Sequence, residues 1–107
     1  MATVNYVITT EGGATVITWG PIAGGDTCTP LALAGHSDKT VTIEGTVTTF
    51  ALQGSNDPAF ANPRTLNDIN MTTAITTAGI FVIKEVPLLI RPLLTTGSGV
   101  TVIIVTP

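Results

Sequence analysis

Charge is what this sequence has least of. Asp, Glu, Lys and Arg make up 10% of its 107 residues, where a globular domain ordinarily carries about 25%. Only Lys39, Arg64, Lys84 and Arg91 are cationic, and the net charge is −3. A phosphate backbone is held by neutralising several phosphates at once, and four scattered cations make a poor groove. Nucleic acid is therefore not an expected partner, and neither is an anionic membrane surface.

Cysteine and histidine are nearly absent. Cys28 is the single cysteine, which excludes an internal disulfide framework and a multi-cysteine zinc site. A reactive thiol needs an electropositive neighbourhood, and "GGDTCTP" offers only an acid, so Cys28 reads as a small buried hydrophobe. "AGHSDKT" contains His36, Ser37 and Asp38, the residue types of a hydrolytic triad. Consecutive residues on an extended chain point to opposite sides, so these three cannot align as base, nucleophile and orienter, and they read as a solvated turn.

Long apolar runs are also missing. "GIFVIKEVPLLIRPLL" is interrupted by Lys84, Glu85, Pro87, Arg91 and Pro92 and cannot supply the roughly 20 uncharged residues of a membrane span. The N-terminal "MATVNYVITTEGG" lacks the basic and apolar regions of a secretory signal, so no export is expected, and the sequon "NMT" at Asn70 carries no weight. Asp57 and Asp68 flank the longest loop. They could serve as paired carboxylates for glycoside hydrolysis or as loop acids for calcium, but turn formation explains both better. The expectation is no catalytic residue, no metal, no cofactor and no enzyme. Aromatic residues are 5%, a thin supply for a sugar site. Trp19, beside Gly20 and Pro21, is the one candidate platform, with core or interface packing the favoured account.

What remains is Thr, Ser, Asn, Gly and β-branched residues. A neutral polar surface costs less to desolvate than a charged one, which suits a chain built to be packed against by copies of itself or by another protein. One domain over residues 1–107 fits the length. Val4, Tyr6 and Ile8 alternate with polar residues as an inward-facing strand set, Gly12 and Gly13 turn the chain, and Thr15, Ile17 and Trp19 form a second strand broken by "GPIAGGD". "TCTPLALAG" reads as an irregular edge strand. In "KTVTIEGTVTTFALQG" the single Gly45 is too short for a hairpin loop, so a bulge or sharp bend inside one long strand is expected. Asp57 before Pro58 fits a helix N-cap, with Pro63 limiting any helix to little more than one turn. Later runs, "IFVIKEV", "LLIRPLL" and "GVTVIIVT", complete about eight short strands. The expected architecture is an all-β antiparallel sandwich, jelly-roll-like, with an immunoglobulin-like topology as the alternative.

The string "ITWGPIAGGDTCTPLALAGHSDKTVTIEGTVTTFALQGSNDPAF", followed by "TLNDI", "TTAGIFVIKEVPLLIRPLL" and "TGSGVTVIIV", resembles small head decoration, or cement, proteins of tailed bacteriophages. The order and spacing of these motifs carry the likeness over Ile17 to Val105. The chain departs from the pattern after the "GSND" corner, where "PAFANPR" stands in place of an aromatic and additional glycine. The resemblance implies a jelly-roll-like sandwich that binds the outer surface of a phage head, assembled in the host cytoplasm. Its implied partners are the major capsid protein and itself, as a trimer or dimer. Partner contacts are expected at Trp19, Asp57, Phe60, Arg64 and Arg91. The rival expectation is a head-fibre or tail accessory module that binds host-surface glycans.

Overall fold

The computed structural model describes residues 2–32, 38–66 and 75–107. Among them the regular structure is all extended: β1 (Thr3–Val4), β2 (Tyr6–Glu11), β3 (Ala14–Ile22), β4 (Thr27–Cys28), β5 (Leu31–Ala32), β6 (Lys39–Ser55), β7 (Arg64–Thr65), β8 (Gly79–Ile83) and β9 (Leu89–Thr106). Two of these are far longer than the strands expected from the turn spacing. β6 has 17 residues and β9 has 18, so at about 3.3 Å per residue each would reach nearly 60 Å if straight. The molecule measures 32 × 30 × 28 Å. Both strands must fold back over the core.

The bend sits where Gly45 predicts it. The β6–β9 register shifts between Glu44 and Thr46, and again between Val47 and Phe50. Before the bend Val41 and Ile43 are buried, and after it Phe50 and Leu52 are, so the inward parity changes as a bulge requires. Gly45 has φ +112°, and a Cβ there would lie 2.4 Å from the Gly99 carbonyl oxygen.

Bending divides one antiparallel pair between two layers. In the first, the order is β2, β3, the C-terminal half of β9, the N-terminal half of β6, then β8. In the second, it is β5, the N-terminal half of β9, the C-terminal half of β6, then β7. Ile17, Trp19, Ile43 and Val102 of the first layer share one hydrophobic cluster with Leu31, Phe50, Leu52, Ile90 and Leu94 of the second. The result is an antiparallel β-sandwich whose two central strands are common to both sheets.

Three local expectations change. β3 does not stop at Trp19 but continues to Ile22 through an extra residue opposite β9. "LLIRPLL" and "GVTVIIVT" are one strand. Ile8 is 50% exposed and Val7 62%, because β2 lies at the sheet edge beyond β3, where the second layer no longer covers it. The Gly12–Gly13 turn stands as expected, joining Glu11 to its cross-strand partner Ala14 with positive φ at both glycines. Of the "TCTPLALAG" segment, β4 and β5 are short strands, and Leu33 to Gly35 lie outside the described residues.

The N-terminal β1 pairs in parallel with β4. Asp26 fastens this ribbon by accepting the Ala2 and Ala23 amides, at 3.0 and 2.9 Å, and these bonds hold its carboxyl below the usual range. Cys28 is buried within β4. Burial pushes its thiol up to about 11, with Asp26 adding to the rise and Arg91 opposing it. The unfolded thiol ionises first as pH rises through 9.0, so the stability tied to Cys28 is intact below pH 9 and is lost toward pH 11. The expected result is a urea midpoint that falls over this window by more in the wild type than in Cys28→Ala, together with negligible labelling of the native thiol by a disulfide reagent. Rapid native-state labelling at pH 8 would contradict the burial. Lys39 is also buried, donating to the Glu85 carbonyl, and desolvation lowers its pKa against the opposing pull of Glu85 and Asp38.

Candidate functional site: a braced corner at the end of β6

β6 ends at Ser55, and the chain turns through "NDPAF" before β7. The turn is built by its own side chains. The Ser55 hydroxyl donates to the Ala61 carbonyl at 2.7 Å and accepts the Asp57 amide at 3.1 Å. Asp57 accepts the Ala59 amide on its carboxylate at 2.8 Å, and its carbonyl accepts the Phe60 amide at 2.9 Å. With Asp first and Pro58 second, this is a β-turn of ordinary chemistry. It closes after four residues, so no helix follows the Asp57 cap.

Two residues of the corner adopt left-handed backbone, Phe60 at φ +58° and Asn62 at φ +52°. Asn tolerates this region, while a bulky side chain pays roughly 1–3 kcal/mol there. What holds Phe60 is Arg91, whose guanidinium carbon lies 4.4 Å from the ring centroid, a cation–π contact. Arg91 is opposite Gln53 in the β6–β9 register and donates from Nε to Gln53 Oε1 at 3.3 Å. On the other side, Asn56 Oδ1 accepts the Leu88 amide at 2.9 Å. The loop is thereby tied to β9 and its leading segment at two points.

Between this corner and residues 85–87 lies an open cleft of about 590 Å³, with Asp57, Asn62 and Arg64 on one wall and Glu85, Val86 and Pro87 on the other. Its floor includes Gly54, where a Cβ would stand 2.5 Å from Pro87 Cγ. Acids and a base are mixed along its rim, a pattern suited to polar contact with another surface. Among the described residues, no three His, Cys, Asp or Glu side chains gather as a metal site would need.

Four of the five expected contact residues meet here. Asp57 and Arg64 are exposed at the rim, Arg91 is half-buried, and Phe60 is buried beneath it. Trp19 does not belong to the site: it is 0% exposed, and its indole Nε1 donates to the Thr29 carbonyl at 3.0 Å. A strand that continues past Trp19 into the core leaves its ring no free face. Each of the five aromatic side chains is buried or half-buried. His36, Ser37, Asp68 and Asn70 lie outside the described residues. Sequence pattern does not single out Ser55, Gln53 and Asn56 as bracing residues: Ser55 bonds within its own loop, the partner of Gln53 is set by strand register, and Asn56 reaches Leu88 just before β9. No protein-family model matches the chain, and no curated protein matches it.

Proposed function

We propose that this chain is a structural virion protein, a decoration protein that binds the outer surface of a bacteriophage head and bridges neighbouring capsid subunits. The observation that carries the reading is the meeting of its two most distinctive stretches. "LQGSND" and "RPLL" are far apart in sequence, yet Leu52 pairs with Pro92 and Gln53 with Arg91, and together they build the braced corner. A pre-ordered loop loses little conformational freedom when it docks. A stiff sandwich presenting such a loop suits a cement role, in which weak contacts repeated by symmetry add to large resistance. Asp57 and Arg64 are the side chains best placed to touch the capsid. Phe60 ties down Asp57 through its amide and is covered by Arg91, while Arg64 is set by its pairing with Gly54.

The glycan-binding alternative draws no support from the aromatic side chains, since its candidate platform, Trp19, is enclosed. Copy number relative to the major capsid protein, measured by quantitative mass spectrometry on purified virions, tests the proposal. The expected ratio is near one, or a simple fraction set by icosahedral symmetry, and Arg64→Glu is expected to lower occupancy without changing the melting temperature. A handful of copies per particle, or none, would overturn it.

A further inference from the structure

The first sheet ends at β8, and nothing among the described residues pairs with the outer edge of that strand. In an antiparallel pair alternate residues turn their N–H and C=O groups away from the partner, so this edge is a row of open donors and acceptors. Folded proteins blunt such an edge with a charge, a proline or a bulge. β8 has none of these: its sequence is "GIFVI", and its register with β6 runs unbroken from Ile83 opposite Lys39 to Gly79 opposite Ile43. The other edge strand, β2, ends in Glu11. Both faces of β8 are also incomplete. Ile80, on the outer face, is 71% exposed, and Phe81 packs against the core yet stays half-buried, because no strand flanks it.

The open edge leads to the corner. Ile83 lies beside the start of β6 and Leu89 beside its end, so residues 84–88 cross between the layers, where Glu85, Val86 and Pro87 form one wall of the cleft. No hydrogen bond among the described residues reaches the Val86 N–H or C=O, and a residue before proline favours extended backbone. Its neighbours are fixed: Lys39 Nζ donates to the Glu85 carbonyl, and Asn56 accepts the Leu88 amide.

We infer that the β8 edge is a strand-acceptor site, along which an extended segment of the major capsid protein adds a further strand to the first sheet; the identity of the donor rests on the function proposed above. Open backbone groups select an extended chain. The side chains select its composition, since residues facing Ile80 and Phe81 lie on opposite sides of the added strand, and both must be apolar or β-branched. A donor that continues past Ile83 also reaches the cleft, with Asp57 and Arg64 at its rim. A second copy could not do the same through its own β8, which offers five residues before its chain returns at Ile75 to its own Phe50.

Hydrogen exchange read by mass spectrometry tests this on the purified protein and on the same protein bound to heads assembled without it. Gly79–Ile83 is expected to gain protection on the heads, while β2 gains none. Ile80→Lys is expected to lower head affinity by about 10-fold or more, whereas Val7→Lys, the same change at the opposite edge, should leave it unchanged. Both side chains are exposed, so the two melting temperatures should match the wild type. Heads that bind the wild type with β8 still unprotected, or equal losses from the two lysines, would overturn the inference and leave the capsid reading standing. Heads that bind none of the wild type would overturn both. Protection of β8 that rises with concentration in the protein alone would give the edge to a second copy, and would overturn the inference as well.

Discussion

Gly45→Ala is expected to lower the stability of the domain by about 3–5 kcal/mol, two penalties acting together. An L-residue at φ +112° is strained whatever the space around it, and the added Cβ would stand 2.4 Å from the Gly99 carbonyl oxygen. That oxygen belongs to β9, the strand paired to β6 on both sides of the bend, so relief means separating the two strands that both sheets share. For a domain of about 100 residues the melting temperature should fall by roughly 15–25 °C. Gly12→Ala is the control. Gly12 also has positive φ, +55°, but nothing lies within 4 Å of its Cβ position, so only the left-handed penalty of about 1–2 kcal/mol applies. If the two variants melt within a few degrees of each other, close approach does not set the bend, and the account of how one strand pair serves two layers is wrong.

That bend was legible because one residue between two alternating runs cannot be a hairpin loop. The continuity of β9 was not. "TTGSG" carries the same Gly and Ser signals whether the chain reverses or merely bends, and what decides is the partner: residues 96–98 pair with residues 46–49 on β6, a non-local fact. The failure at β2 has a related cause. Alternation marks which residues share a face, but a face is inner only where a second layer covers it, and beyond β3 that cover ends at Ile8. In the corner, the Asp57–Pro58 turn could be read from local chemistry alone. The clamp of Arg91 on Phe60 and Gln53 could not, because it joins residues 38 apart in the case of Gln53. Arg91 stood out only as a charge within an apolar run, a signal that gives a position without a partner.

Trp19 offers the clearest separation of structural from contact roles. Trp19→Ala is expected to destabilise the domain by about 3–5 kcal/mol, the usual range for emptying a buried aromatic site. The indole is enclosed, packs edge-on to Tyr6 at a centroid distance of 5.8 Å, and bonds the Thr29 carbonyl. Thr29 in turn donates from its hydroxyl to Asn5 at 2.6 Å, so the ring links β3 to the β1–β4 ribbon as well as filling the core. Trp19→Phe keeps most of the volume, loses the N–H donor, and should cost only about 1–2 kcal/mol. If the chain has the proposed decoration role, both variants, assayed well below their melting temperatures, are expected to occupy heads as the wild type would, because the wild-type ring presents no face to a partner. A Trp19→Phe protein that folds normally yet binds heads poorly would place Trp19 at an interface after all, and would require β3 to open on docking.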